Sequence, residues 1–128
     1  MSKLLFEEET FGIIGTCMKV HKNLGSGFLE SVYQEVLVKE FRKEEIPFEE
    51  QKKLNLYYEG EKLEKYFKAD FLCYDKIIVE LKSVAFLNKS LESQVINYLK
   101  ATNKEVGLLI NFGEKSLKWK RIINTTQS

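Results

Sequence analysis

The stretch KADFLCYDKIIVELKSV, residues 68–84, reads as the end of one strand, a turn, and a second strand rich in Ile and Val. It carries Asp70, Glu80 and Lys82 inside apolar runs, where acidic side chains are unusual. Two carboxylates brought close repel each other, which raises one pKa or recruits a cation. Register decides whether they meet. A turn through Tyr74-Asp75-Lys76 puts Asp70 opposite Glu80, and such cross-strand neighbours have Cβ atoms roughly 4.5–5.5 Å apart. A two-residue loop at Asp75-Lys76 would instead set Asp70 against Leu81, on the wrong face. Alternation places Glu80 and Lys82 on one face in either register, and predicts that Tyr66, Lys68, Asp70, Leu72 and Tyr74 share a face of the preceding strand. The same spacing also suits a solvated hairpin on which Lys82 neutralises a carboxylate.

Outward from this hairpin the pattern gives the rest of the order. Upstream, Gln51 to Tyr58 and Lys62 to Tyr74 are strand-like, with Glu59-Gly60-Glu61 as the turn between them. Before Pro47, apolar residues recur with helical spacing over Leu29 to Lys43 and over Glu7 to Asn23, separated by the break NLGSG at residues 23–27. Downstream, Asn88 to Asn103 is predicted as a helix with Ser90 as N-cap. Val106 to Asn111 (VGLLIN) suits a fully buried strand, and Leu117 to Ile123 a last one after a turn at Gly113 to Lys115. The expected fold is α/β (α+β), order ααβββαββ, with a mixed sheet of about five strands flanked by helices. The helix between the third and fourth strands makes a parallel crossover.

The 128 residues fit one domain, 1–128. A net charge of +1 supplies no global attraction to nucleic acid, so any such binding rests on a local patch. Lys89, Lys100, Lys104, Lys115, Lys118, Lys120 and Arg121, with Trp119, are the candidates for one, although surface lysines are commonly just solvated. No apolar run is long enough to span a bilayer, and the acidic start MSKLLFEEETF lacks a signal-peptide core. Cys17 and Cys73 lack CxxC spacing and read as small buried hydrophobes in a reducing cytoplasm. No glycine-rich phosphate loop or nucleophile–histidine pattern favours a small-molecule enzyme.

With Gln94 and Tyr98 added, the pattern resembles the PD-(D/E)XK nuclease superfamily. Asp70 fits its lone acid, Glu80-Leu81-Lys82 its ExK element, and Gln94 to Tyr98 the QxxxY element of RecB-type members. Gly27-Phe28-Leu29-Glu30-Ser31-Val32-Tyr33 further resembles the signature of the GxxExxY family. One departure is Leu91, which stands where many members carry a histidine.

The resemblance implies a restriction-endonuclease-like core and metal-dependent hydrolysis of phosphodiester bonds in DNA, which is favoured, or RNA. Asp70 and Glu80 would hold Mg²⁺ or Mn²⁺ with the Leu81 backbone carbonyl and water. Glu30 would be a third carboxylate and His21 a further ligand. Lys82 would orient water or offset phosphoryl charge. Gln94, Tyr98 and Tyr33 would contact substrate, and homodimerisation would enlarge the binding surface. Without the resemblance, Glu30 reads as a solvent-facing helix residue, His21 as structural, and Tyr98 as core. The alternative for the whole chain is a catalytically silent module on the same fold that binds nucleic acid or protein.

Overall fold

A computed structural model describes residues 5–124. Two helices come first, α1 (Glu7–Leu24) and α2 (Glu30–Lys43). Three strands follow, β1 (Phe48–Tyr58), β2 (Glu61–Cys73) and β3 (Ile77–Lys82). Helix α3 (Lys89–Thr102) then leads to β4 (Val106–Asn111) and β5 (Lys118–Ile123). The strands lie in chain order, β1-β2-β3-β4-β5, and only β3 and β4 run parallel, joined by the α3 crossover. The predicted order holds throughout. The cap of α3 does not: Asn88, not Ser90, is the N-cap, and its side chain accepts from Leu91 N–H at 2.9 Å. Asn88 is extended, as an N-cap must be, whereas Ser90 already lies in the helix.

The sheet is covered on both faces. On one, α1 and α2 bury Ile13, Cys17, Tyr33, Leu37 and Phe41 against Phe71, Val79, Leu108 and Ile110. On the other, α3 packs Val95 and Leu99 over Leu72, Ile78 and Leu109. β4 is buried along its whole length, which explains its unbroken apolar run. Both cysteines are free and buried in the α1–α2 layer, and burial pushes the Cys73 thiol up to about 12.

Two glycines let backbones approach. A Cβ on Gly107 would lie 2.9 Å from Val95 Cγ1, so α3 can sit directly on β4. A Cβ on Gly113 would lie 2.3 Å from the Val84 carbonyl oxygen and 2.4 Å from its nitrogen. That second contact locks the chain after β4 against the chain after β3. Asn111, fully buried, completes the lock: its Oδ1 accepts from Val84 N–H and Gly113 N–H, and its Nδ2 donates to the Val84 carbonyl.

Along β1 and β2 the apolar alternation changes phase at Gln51 and Asp70. Leu54 on β1 and Phe67 and Ala69 on β2 belong to the α3 layer, yet Phe48 and Phe71 belong to the α1–α2 layer. Gln51 has a left-handed backbone, φ 50°. The expectation that Tyr66, Lys68 and Leu72 share a face is therefore corrected: Leu72 lies in the α3 layer and Phe67, between Tyr66 and Lys68, lies there too. A left-handed residue beside Asp70 breaks the two-residue period that the prediction relied on.

Candidate active site

The hairpin between β2 and β3 turns through Tyr74, Asp75 and Lys76, with Tyr74 and Asp75 both left-handed and Lys76 N–H bonded to the Cys73 carbonyl at 3.0 Å. Its pairs are Cys73–Ile77, Leu72–Ile78 and Phe71–Val79, so continuing them brings Asp70 to Glu80. This is the odd-length loop. The backbone ladder ends at Phe71–Val79, and carboxylates take over from it. Asp70 N–H donates to Glu80 Oε1 at 3.0 Å, and Leu81 N–H donates to Asp70 Oδ2 at 2.8 Å. One step further along the opened edge of β3, Ser83 N–H donates to Glu30 Oε2 at 2.9 Å. Acidic side chains thus satisfy the amides exposed where β2 leaves β3.

Desolvation governs the charge of this pair. Burial first, and then the Asp70 carboxylate beside it, push Glu80 up to about 8. Burial raises Asp70 as well, against the opposing Leu81 N–H and Lys82. Lys82, two residues along β3 from Glu80, favours the charged form of both carboxylates through its charge. Near neutrality and without a cation, the pair therefore retains a proton, chiefly on Glu80.

The donor chemistry suits a hard cation. Asp70 and Glu80 each have a second oxygen beyond the one that caps an amide; that of Asp70 meets only Gln51 Nε2, at 3.5 Å. The Lys82 carbonyl accepts from Phe112 N–H on the β4 side. By alternation the Leu81 carbonyl leaves β3 on the Asp70 side, together with its own N–H. Among the described residues no group of three or more His, Cys, Asp or Glu side chains is gathered to hold a metal. Two carboxylates and a carbonyl fit Mg²⁺, which keeps several waters, better than a metal that needs a full protein cage.

The other expected residues divide. Glu30, at the first turn of α2, reaches the edge of the same site through Ser83, and its charge acts on Asp70. Tyr33 is fully buried: it stacks on Phe112 at 4.3 Å and donates to the Gly25 carbonyl at 2.5 Å. It pins the loop that presents Glu30 and sits in the core. His21 is buried too, with Nε2 2.9 Å from the Glu114 carbonyl oxygen and its ring 6.0 Å from that of Phe112. None of its contacts is with the acid pair. Tyr98 stacks flat on Phe67 at 3.7 Å, and Gln94 is exposed one turn away on α3.

Three residues were missed. Gln34 donates to the Asp70 carbonyl at 3.1 Å, Gln51 faces the Asp70 carboxylate, and Ser83 Oγ donates to the Phe28 carbonyl at 2.7 Å. Neutral amides and hydroxyls leave no pattern in one sequence. Gln51 itself gave no signal, since it is polar at an odd position of β1, where Phe48, Leu54 and Leu56 hold even ones.

The sequence matches the profile of the PD-(D/E)XK nuclease superfamily over residues 7–122. The chain belongs to that superfamily. No curated protein matches it. Among solved structures it is similar to the crystal structure of SSO0001, with a TM-score of 0.59 and 15% identity over 95% of this chain. It spans 62% of that longer chain. An alkaline exonuclease, LHK-Exo from Laribacter hongkongensis, aligns with a TM-score of 0.44 and 9% identity over 95% of this chain and 72% of that one. The likeness to SSO0001 concerns the fold. Among the described residues no helix is long and apolar enough to cross a membrane.

Proposed function

We propose that this chain is a divalent-metal-dependent nuclease that hydrolyses phosphodiester bonds, with DNA the favoured substrate. The observation that carries the reading is the Asp70–Glu80 pair at the point where β2 leaves β3, Lys82 beside it and Glu80 raised by burial. Asp70 Oδ1, the outer oxygen of Glu80 and the Leu81 carbonyl would hold Mg²⁺ or Mn²⁺. When bound, the cation supplies polarisation of the phosphate and a water acidified enough to attack. Glu80 must give up its proton on loading. Lys82, next on the same face, offsets charge that develops on the phosphoryl oxygens. Glu30 acts from the rim, directly or through water. His21 as a ligand and Tyr33 and Tyr98 as substrate contacts require side-chain or loop movement, because all three already have packing partners, whereas Gln94 would contact substrate from its exposed place on α3. Membership of the GxxExxY family, with a RecB-type Gln94-to-Tyr98 element, is part of this reading, as is a cytoplasmic setting that agrees with two free buried thiols.

One observation favours the silent module instead: each of the three carboxylates already caps a backbone amide. Cleavage of DNA and RNA panels with Mg²⁺ or Mn²⁺ tests the choice. The nuclease reading expects cleavage abolished by EDTA and by Glu80→Gln in a folded protein. Persistent cleavage in Glu80→Gln and Lys82→Ala would remove it, and folded wild type that binds no Mn²⁺ in calorimetry would favour the silent module.

A further inference from the structure

β1 and β2 continue past the last pair with β3 as a two-stranded arm. On β1, Leu54 and Leu56 face α3, so Lys53, Asn55 and Tyr57 face the other way. Their cross-strand partners Lys68, Tyr66 and Lys62 share that face. Nothing covers it. Tyr57 is 50% and Tyr66 47% exposed, and Lys53, Lys62 and Lys68 are all exposed.

The lysines are placed in an unusual way. Lys53 and Lys68 lie directly opposite each other, an arrangement that destabilises an antiparallel pair. Neither they nor Lys62 has a carboxylate within 4.0 Å among the described residues. Lys53 Nζ instead sits 4.5 Å from the Tyr66 ring centre. The glutamates of the arm, Glu59, Glu61 and Glu64, collect toward its tip, while Lys53 and Lys68 lie toward the Asp70 end, where Glu49 and Glu50 of β1 are the neighbouring acids and Glu49 is paired with Lys52. Lys68 is two residues from Asp70, and Gln51, beside the Asp70 carboxylate, is two residues from Lys53.

We infer that this face binds a single-stranded nucleic-acid segment and leads it to the Asp70–Glu80 site. Lys53 and Lys68 take phosphates, which also relieves their mutual repulsion. Tyr57 and Tyr66 stack unpaired bases, whose π-faces a duplex would hide. Lys53 to Tyr57, paired with Lys68 to Lys62, spans about 13 Å of strand at about 3.3 Å per residue, enough to engage a few nucleotides. The register shifts between Asn55 and Tyr57, where β2 spends its extra residues. The acid pair repels phosphate by itself, so a neighbouring basic face gives the substrate a reason to arrive. The inference rests on the nuclease reading of the site and names its substrate form.

Fluorescence anisotropy of a short labelled oligothymidylate, its RNA counterpart and a mixed-sequence duplex, in EDTA, tests it. Wild type is expected to bind the single strands more tightly than the duplex. Lys53→Gln/Lys68→Gln and, separately, Tyr66→Ala should each weaken binding about tenfold or more. Lys53→Gln/Lys68→Gln should melt no lower than wild type, because the repulsion between the lysines is removed, and both variants should stay folded and keep Mn²⁺ binding. Unchanged affinity in both variants, a duplex bound as tightly as the single strands, or no binding by wild type would overturn the arm. If arm variants only convert a dimer to monomer and leave oligonucleotide affinity intact, the face is a contact between copies and the inference falls. Loss of Mn²⁺ binding in wild type with strand binding intact would break the nuclease reading and leave the arm standing.

Discussion

The acid end of β2–β3 and the β1–β2 arm are continuous in backbone and opposite in construction. At the acid end every amide released by the splitting strands is met by a carboxylate, and Asn111 and Gly113 clamp the chain around it. On the arm, two lysines face each other and two tyrosines are half exposed, one of them under the Lys53 ammonium. The first region has satisfied its backbone amides within the fold and still keeps a half-buried, raised carboxylate. The second has left its charges for something outside. Preorganisation for a small hard cation and openness to a long polyanion call for these different solutions.

The comparison breaks most directly at Glu80. Glu80→Gln should lower cleavage by about 100-fold or more, as removal of a preorganised charge in an active site commonly does; an end-labelled cleavage assay reads it. The metal-free wild type should also lose stability as pH rises. The folded-state pKa of Glu80, about 8, lies above the ordinary value of 4.5, so the folded state binds more protons between them. The contribution is full below about 4.5 and is lost as pH rises through about 8. Thermal melting across that window should therefore fall in wild type and stay flatter in Glu80→Gln, whereas Mn²⁺ affinity should strengthen with pH as the proton leaves.

Gly113→Ala should come next in size, costing about 2 kcal/mol or more, because the new Cβ meets backbone atoms of Val84 that cannot rotate away. Urea denaturation measures it. Tyr33→Phe should cost about 1 kcal/mol, since it removes the hydroxyl that donates to the Gly25 carbonyl and keeps the stack on Phe112. The same denaturation series separates the two. On the arm, Tyr57→Ser should change stability by about 0.5 kcal/mol or less. A large loss there would mean that the arm supports the fold and is not a free surface.

Much of the scaffold was legible because periodicity carries it. The change from helical to alternating spacing after Pro47 and the unbroken run VGLLIN are direct images of half-buried helices, strands and a fully buried strand. The hairpin register could be stated as a choice because loop length sets parity, and the observed turn at Tyr74 to Lys76 selects the arrangement that joins Asp70 to Glu80. The face of β2 was misread because alternation assumes an unbroken strand, and the left-handed Gln51 lies on the neighbouring strand. The sequence pointed for basic residues to the run from Lys89 to Arg121, in which Arg121 bonds the Leu5 carbonyl and Lys104 that of Asp75. The lysines that face one another, Lys53 and Lys68, are brought together only by strand pairing.

By itself the sequence determined which residues could do chemistry: Asp70, Glu80 and Lys82 in apolar strands, with Glu30 upstream. Local spacing and residue type suffice for that, because charge inside an apolar run is costly and therefore conspicuous. Tertiary structure alone decided how those groups are held. It split β2 from β3 so that carboxylates cap the freed amides, buried Tyr33 and His21 away from solvent, and carried the lysines and tyrosines of the arm onto one uncovered face. Those outcomes depend on contacts between residues distant in the chain, and no local pattern encodes them.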